Sequence, residues 1–345
     1  FGVAPRLPAW APAGATRLAF LWSDRGVDAS DLWLWEPGDE KPRKLVDHAS
    51  LTLESGGNDP AVDERRETLR LFDRGIGSFQ WSPDGTRLLV ESSGNLFIVD
   101  PLSGELRALS RTAAPAIDPQ FSADGRAVVF VRQGDLWWAG LDSGAQLQLT
   151  SDGSETRLNG RSDYIALEEL GFEHAFRISP DSKRVAFVQY DTSPVAVLCV
   201  PEMLADRVGC REQRRPPAGS ANSRIRIGFA AAGKEPVWAS LPAALTDFYV
   251  AHLVWFDADR LLAGVEDRST QSLTIYSISA ADGSAQAVVV ERDDAWVNLA
   301  RTWIVPGDAR SFVFGSERSG WAHAYRIDLE TKESTSLTAG DWEVD

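Results

Sequence analysis

Cysteine, methionine and histidine are scarce in this chain of 345 residues, which contains two, one and four of them. Long apolar stretches are also absent: no run reaches the roughly 18 residues of a membrane-spanning helix, so none lies within the sequence. Acidic residues outnumber basic ones, 50 to 35, for a net charge of −15. Because binding to a phosphate backbone needs clustered cations, nucleic acid is not an expected partner.

The amino end has no recognisable secretory signal, because no charged segment followed by an apolar run is found there. The sequence also starts at Phe1 rather than at a methionine, which is typical of a trimmed or partial chain. The amino end therefore does not predict the compartment.

The two cysteines, Cys199 and Cys210, do not have the Cys-x-x-Cys spacing of a zinc or redox site. If Pro201 to Arg207 forms a hairpin loop, the cysteines face each other across neighbouring strands, and that geometry permits a disulfide. Two separate small thiols in the core are an equally good interpretation.

The four histidines are scattered singly, without the spacing of a zinc site. Packing in the core or on the surface is the better interpretation for His48, His174, His252 and His323. His174 is also a candidate for lining the same cavity as a pair of glutamates upstream of it. The Asp-Gly turns offer too few oxygens for calcium, so we expect no metal and no cofactor.

Aromatic and turn-forming residues are abundant by contrast, with 13 Trp, 15 Phe, 5 Tyr, 28 Gly and 18 Pro. Aromatic residues favour strands, while Gly and Pro interrupt them, so the composition predicts many short strands joined by tight turns. Length alone suggests about two domains, but a repeat architecture makes one domain of this size equally reasonable.

An internal repeat organises the chain. Its clearest copy runs from Trp81 to Val90, where an aromatic ends one strand, Ser-Pro-Asp-Gly turns the chain, and alternating apolar residues form the next strand. Other copies begin at Phe121, Ile178 and, more loosely, Trp10, and degenerate copies begin at Trp255 and Trp303.

A third and a fourth strand follow most copies, for example Asn95 to Asp100, and the fourth often ends in Leu-Thr or Leu-Ser. Four strands repeating about every 40 to 75 residues are typical of propeller blades, which must pack face to face to bury their sheets. The sequence thus predicts an all-β propeller with six blades of four antiparallel strands. Asp63 to Phe72 is expected to form a short helix in a connection, and Pro216 to Asn222 a loop.

One acidic pair stands apart from the repeats. Glu168 and Glu169 lie between Tyr164–Leu167 and Leu170–Phe172, in an insertion just before the copy at Ile178. A solvated pair on a surface turn is the commoner fate of a Glu-Glu dipeptide. The apolar flanks and the position in an insertion favour a cation-binding pair instead, because insertions on a repeat array often carry binding groups.

The surroundings of this pair resemble the amino-terminal propeller of dipeptidyl peptidase IV, a serine peptidase of the prolyl oligopeptidase type, and its bacterial members in particular. The resemblance is carried by six stretches along the chain: Leu147 to Gly153, Asn159 to Asp181, Ala186 to Val195, Arg214 to Gly228, Ser316 to Arg326, and Gly340 to Val344.

The resemblance implies an eight-bladed ring, of which residues 1–345 supply six blades, and a substrate-binding role for Glu168 and Glu169. In that family the pair binds the free α-ammonium of a peptide, so that only two residues fit between it and the catalytic serine. The implied function is the substrate-gating propeller of an exopeptidase that releases X-Pro or X-Ala dipeptides. Peptides with a free amino terminus are the implied ligands.

Catalytic residues are not expected in this chain, which contains no Gly-x-Ser-x-Gly motif. The resemblance assigns the Ser, Asp and His to a carboxy-terminal α/β-hydrolase domain beyond residue 345, so the chain alone should be inactive. It also implies a homodimer of the full-length protein and a periplasmic or secreted location. The family's substrate-contacting arginine has no counterpart in the short hairpin from Val90 to Leu96.

A non-catalytic propeller that serves as a scaffold for partner proteins is the alternative, since fold does not dictate function. The repeats would look the same in both cases. The acidic pair distinguishes them, because a scaffold has no need of paired carboxylates amid apolar residues.

Overall fold

The computed structural model describes residues 4–12, 14–26, 29–51, 65, 74–109, 114–203, 208–299, 303–305 and 310–344. The chain divides into two compact units, Phe1–Gly153 and Ser154–Asp345. Within these described ranges each unit contains three sheets of four or five strands, and the second unit also has a separate two-stranded hairpin.

The first unit contains three sheets whose main strands follow one another in chain order. Its first sheet consists of β1 (Arg6–Trp10), β2 (Leu18–Trp22), β3 (Ala29–Trp35) and β4 (Arg43–Val46), with β5 (Arg74–Gly75) parallel to β3. The second consists of β6 (Ser78–Trp81), β7 (Leu88–Ser92), β8 (Asn95–Val99) and β9 (Leu106–Ala108). The third consists of β10 (Ile117–Phe121), β11 (Ala127–Arg132), β12 (Asp135–Gly140) and β13 (Gln146–Gln148).

The second unit contains the fourth, fifth and sixth sheets. The fourth consists of β14 (Arg157–Asn159), β15 (Phe176–Ile178), β16 (Val185–Asp191), β19 (Arg224–Ala230) and β20 (Val237–Trp238), and the hairpin of β17 (Val197–Met203) and β18 (Val208–Arg214) is inserted between β16 and β19. The fifth consists of β21 (Phe248–Trp255), β22 (Arg260–Asp267), β23 (Ser272–Ser279) and β24 (Ala285–Arg292). The sixth consists of β25 (Trp303–Ile304), β26 (Ser311–Ser316), β27 (His323–Asp328) and β28 (Ser334–Ser336).

Helical structure in the described residues is short: a 3-10 helix at His48–Leu51 and a π-helical turn at Ile165–Glu169. The predicted helix from Asp63 to Phe72 lies outside the described residues except for Arg65. The predicted loop from Pro216 to Asn222 is present between β18 and β19. These helical pieces leave the sheets as the framework of the chain.

The repeated turn has a common hydrogen-bond pattern that explains its sequence. In the copy between β6 and β7, the Ser82 hydroxyl donates to the Asp84 carboxylate over 2.6 Å, and the Thr86 amide donates to the same carboxylate over 3.0 Å. Gly85 follows with a φ of 69°, in the left-handed region where glycine has no steric penalty. The same Ser-to-Asp bond recurs in the third and fourth sheets, from Ser122 and Ser179, at 2.6 Å.

Neighbouring sheets within each unit pack face to face. One core cluster joins the first and second sheets, another the second and third, another the fourth and fifth, and another the fifth and sixth. Tryptophans reinforce two of these contacts: Trp81 donates its indole N–H to the Ala9 carbonyl over 3.0 Å, and Trp255 donates to the Arg177 carbonyl over 2.9 Å. Both bonds join first strands of adjacent sheets.

The described architecture confirms the all-β prediction and its six antiparallel sheets. Each predicted repeat copy corresponds to one sheet, although the copy that begins at Trp303 runs through residues 306–309, which lie outside the described ranges. No helix among the described residues is long and apolar enough to cross a bilayer.

Candidate functional site

The acidic pair lies in an interruption of the first strand of the fourth sheet. Strands β14 and β15 both pair with β16, one after the other. Between them the Gly160 amide donates to the Val188 carbonyl over 2.9 Å, and the Val188 amide donates to the Ala175 carbonyl over 2.8 Å. Residues 161–174, called the acidic insertion below, therefore leave the sheet and return to it at one residue of the neighbouring strand.

The middle of the acidic insertion is the π-helical turn Ile165–Glu169. The Leu170 amide donates to the Ile165 carbonyl over 3.2 Å, and the Phe172 amide donates to the Ala166 carbonyl over 2.7 Å. Turns with this wide hydrogen-bond spacing are rare and occur frequently at functional sites.

Apolar side chains fasten one side of this turn to the protein. Ala166 and Phe172 are 3% and 6% exposed and belong to the core cluster of the fourth and fifth sheets, and Leu170 packs against that cluster. The apolar flanks noticed in the sequence therefore serve as anchors. Their burial leaves the side of the turn that carries the glutamates free to face outward.

Both glutamates of the pair are exposed to solvent. Within the described part of the chain, neither Glu168 nor Glu169 has a hydrogen bond or an ion pair. The pair is thus two adjacent carboxylates on a backbone turn, exposed as in the solvated alternative that the sequence also offered. Such an arrangement can accept hydrogen bonds from a cationic ligand with several donors.

Asp163 holds the start of the turn, a role that the sequence analysis did not assign. Its Oδ1 atom accepts a hydrogen bond from the Ala166 amide over 2.9 Å, and its Oδ2 atom accepts one from the Ser223 hydroxyl over 2.5 Å. An aspartate that caps an amide three residues later is a recognisable helix-start signal, so the first bond could have been predicted. The second joins residues 60 apart and could not.

Two tyrosines complete the surroundings of Asp163. The Tyr190 hydroxyl is fully buried and has no hydrogen-bond partner in the described residues, and burial, together with the negative charge of Asp163, raises its pKa well above the ordinary value. The Arg215 guanidinium lies 4.3 Å from the ring centre of Tyr164, in a cation–π contact. The start of the insertion is thereby tied to the segment that follows β18.

A polar network continues from this segment into the fifth sheet. Asn222 donates to the Asp247 carboxylate over 3.2 Å and to the Tyr249 hydroxyl over 3.0 Å. Arg268 donates to the same Asp247 over 2.7 Å and to the Ser220 carbonyl over 2.6 Å. The hydrogen bond that Arg268 donates to Asp247 raises the pKa of Arg268, so the network contains a permanent positive charge.

The two cysteines form a disulfide. Cys199 in β17 and Cys210 in β18 are bonded, with their Cα atoms 5.4 Å apart. The predicted hairpin loop from Pro201 to Arg207 began too early, because β17 continues to Met203, and residues 204–207 lie outside the described ranges. Of the two interpretations that the sequence left open, the paired one is present.

The histidines have separate environments. His48 contacts the buried Asp31, with 2.6 Å between Nδ1 and Oδ1, and His323 is buried and contacts the Thr338 hydroxyl and the Gly340 carbonyl, each over 3.0 Å. Burial lowers the pKa of His252 to about 4. His174 lies in the acidic insertion, and its role at the site stays a prediction.

One group of residues in the described chain has metal-ligand geometry: Asp31, Asp47 and His48, whose ligand atoms lie within 4.8 Å of one another. Lys44 places its ammonium 2.6 Å from Asp31 and so already supplies a cation there. Burial raises the pKa of Asp31, but hydrogen bonds from Lys44 and His48 outweigh it and lower the net value. The group is explained as an ion-pair network.

The hairpin between β7 and β8 turns at Ser93 and Gly94, both with positive φ, of 48° and 76°. It is as short as the sequence indicates and contains no arginine. The substrate-contacting arginine that the resemblance implies therefore has no counterpart on this hairpin.

Successive four-stranded antiparallel sheets, packed face to face in each unit, define a β-propeller type of domain. Residues 82–345 match the model of the dipeptidyl peptidase IV N-terminal region, and the chain belongs to that family.

Individual relatives agree with this family. A probable dipeptidyl peptidase 4 of Arthroderma benhamiae is 25% identical over 296 residues, which are 79% of this chain and 37% of the relative. A probable dipeptidyl peptidase 4 of Aspergillus flavus is 27% identical over 245 residues, 65% of this chain and 31% of the relative. The chain thus spans 37% or less of the length of these two fungal relatives.

The fold is shared with a solved structure. The crystal structure of Porphyromonas gingivalis dipeptidyl peptidase 4 superposes with a TM-score of 0.76 at 22% sequence identity, covering 99% of this chain and 47% of that one. This likeness shows that the chain shares the fold of the matching part of that protein.

Proposed function

We propose that this chain is the substrate-gating propeller region of a serine dipeptidyl peptidase, in which Glu168 and Glu169 bind the α-ammonium of a peptide substrate. Membership of the dipeptidyl peptidase IV N-terminal family supports the enzyme class. One observation carries the assignment of the pair: Glu168 and Glu169 are exposed carboxylates without a partner in the described chain. The turn that bears them is anchored to the core by its buried apolar side chains.

The chemistry of the ligand fits the pair. An ammonium group has three N–H donors and no acceptor, and two adjacent carboxylates can accept from it at a fixed position. Hydrogen bonds between charged partners are about twice as strong as neutral ones. An N-acetylated peptide has lost both the charge and two of the donors, so it should be discriminated against.

In the proposed enzyme the pair sets the length of the peptide fragment that is released. The catalytic serine, aspartate and histidine come from an α/β-hydrolase domain, and the distance from the pair to the serine admits two residues. X-Pro and X-Ala dipeptides are the proposed products. The Cys199–Cys210 disulfide supports a periplasmic or secreted location, because disulfides persist in oxidising compartments.

Replacing Glu168 or Glu169 by glutamine in the full-length protein tests the proposal. Each change keeps the size of the side chain and removes its charge. We expect kcat/KM for an X-Pro p-nitroanilide to fall, by an amount that corresponds to a loss of about 1.5 to 3 kcal/mol of transition-state binding free energy. Both variants should also lose most of their preference for free over N-acetylated amino ends.

Glu333→Gln is a matched control, because Glu333 is likewise exposed but lies in the turn before β28 of the sixth sheet. Its kcat/KM should equal that of the wild type. Wild-type kinetics in both pair variants would reject the ammonium role and favour the scaffold alternative, in which binding of partner proteins does not depend on the pair.

A further inference from the structure

The position of the acidic pair depends on a small number of contacts at one end of its turn. Asp163 stands just before the π-helical turn Ile165–Glu169, and each of its carboxylate oxygens has a different task. Oδ1 accepts from the Ala166 amide over 2.9 Å, and Oδ2 accepts from the Ser223 hydroxyl over 2.5 Å. One side chain therefore joins the turn to a separate part of the sheet.

The first bond fixes the beginning of the turn. The amides at the start of a helical turn have no partner within it, and a capping carboxylate satisfies one of them. The Asp163 carbonyl also accepts from the Leu167 amide over 3.0 Å. The backbone from Ala166 to Leu167, which leads directly into Glu168, is thus held by the side chain and the main chain of one residue.

The second bond connects the turn to the interior of the fourth sheet. Ser223 is 8% exposed and immediately precedes β19, which pairs along its whole length with β16. A hydrogen bond to a carboxylate from a buried hydroxyl is short and directional. This bond fixes the exposed turn relative to β19, a strand that does not belong to the acidic insertion.

A buried tyrosine hydroxyl also lies near the Asp163 carboxylate. The Tyr190 hydroxyl, on β16, is close enough to Asp163 for that negative charge to raise its pKa, and it has no hydrogen-bond partner in the described residues. If the Asp163 side chain moved away, the buried Ser223 hydroxyl would lose its acceptor. Because a buried polar group without a partner is unfavourable, the position of Asp163 that keeps this bond is favoured.

We propose that Asp163 is the positioning residue of the acidic pair and that Ser223 is its partner, an inference that rests on the ammonium-binding function proposed above. Asp163 does not touch the substrate. Through the cap on Ala166 and the bond from Ser223 it holds Glu168 and Glu169 in the one arrangement in which both accept from the same ammonium.

Three variants of the full-length protein separate this role from a merely structural one. Asp163→Ala removes both bonds and should raise KM for an X-Pro p-nitroanilide about tenfold while kcat stays within about twofold, because one cap and one charged hydrogen bond are lost. Asp163→Asn should rescue KM to within about threefold, since an amide oxygen still caps Ala166 and the amide N–H₂ can donate to the Ser223 oxygen. Ser223→Ala keeps the cap and should raise KM about threefold.

Amide hydrogen exchange supplies a readout that does not depend on catalysis. In Asp163→Ala the amides of Ala166 and Leu167 should exchange faster, while Asp163→Asn should keep their protection. Asp282→Ala is the matched control: Asp282 accepts from the Ser284 amide over 3.0 Å in the turn between β23 and β24, and its loss should change neither KM nor exchange in the insertion.

Unchanged KM and unchanged exchange in Asp163→Ala would overturn the proposal. Faster exchange with unchanged KM would also overturn it, because the cap would then be structural only. If the glutamine variants of Glu168 and Glu169 leave KM unchanged, the ammonium role itself fails, and the exchange data show separately whether Asp163 still holds the turn.

Discussion

Two buried carboxylates of the first unit have hydrogen-bond partners, whereas one buried carboxylate of the second unit has none in the described residues. In the first unit, Asp31 accepts hydrogen bonds from Lys44 and His48, and Asp135 accepts from the Thr150 hydroxyl over 2.7 Å. In the second unit, Glu266 is 2% exposed and has no hydrogen-bond partner in the described residues. Burial raises its pKa to about 7, and the neighbouring Asp267 adds to the effect.

His252, in the second unit, is a further case. Its Nε2 atom is buried without a hydrogen-bond partner in the described chain, and its ring lies 4.7 Å from that of Trp303. Unpartnered buried polar groups cost stability, and proteins tend to tolerate such costs near functional regions. Such groups occur in both units: Tyr190 and Trp303 in the second and Ser23 and Trp137 in the first also have buried polar atoms without a hydrogen-bond partner in the described residues.

The largest expected effect tests whether the cores of the two units are nonetheless alike. Phe130 in the third sheet and Phe187 in the fourth occupy the same place after the repeated turn, and both are 0% exposed. Replacing either by alanine should lower the free energy of unfolding by about 3 to 5 kcal/mol, measured by urea denaturation. A loss confined to one of the two variants would show that the repeat does not create equivalent cores.

The next comparison concerns the charges themselves. Asp31→Asn breaks a buried ion-pair network and should cost about 2 to 4 kcal/mol at pH 7, whereas Glu266→Gln should stabilise the protein by about 1 to 3 kcal/mol above pH 7. The opposite signs follow from the presence or absence of partners. Thermal unfolding of both variants at several pH values provides the measurement.

The pH dependence makes the difference sharper. The folded state keeps Glu266 protonated up to a pKa of about 7, above the ordinary 4.5, so wild-type stability should fall as the pH rises through this window. The pKa of Asp31 is lowered, so its contribution is present above the ordinary value of 3.8 and lost on acidification. A Glu266→Gln variant with the same slope as the wild type between pH 4.5 and 7 would contradict the assignment.

The smallest effect concerns the turn that both units share. Asp84 in the first unit and Asp181 in the second accept the same serine hydrogen bond at 2.6 Å, and each substitution by alanine should cost about 1 kcal/mol. Unfolding measurements on the pair should give equal losses. Ser182 takes the place of Gly85 in the second unit and has a φ of 59°. Unequal losses would mean that this replacement changes the stability of the turn.

Much of this fold could be predicted from the sequence because its determinants are local. Ser-x-Asp turns mark where strands end in the second, third and fourth sheets, and the other three sheets were located from looser copies of the same motif. The hairpin at Cys199 and Cys210 was likewise suggested by spacing alone, although the bond itself needed the register of β17 against β18.

The candidate site was only partly predictable. Glu168 and Glu169 were found because charge amid apolar residues is visible in the sequence. Their exposure to solvent could not be predicted, since it depends on which side of the turn Ala166 and Phe172 bury. The bond between Ser223 and Asp163 joins distant segments and has no local signal. That the Glu266 side chain has no hydrogen-bond partner in the described residues is equally a result of tertiary packing.

The acidic insertion has its two ends at Val188, next to each other on one strand. A loop whose ends are already adjacent adds little closure entropy when it lengthens, and its removal would leave the sheet register intact. Such a segment can be exchanged, shortened or extended as a cassette while the blade beneath it stays the same. The pair that we propose to bind substrate and the register of the sheet are then encoded in different pieces of one strand.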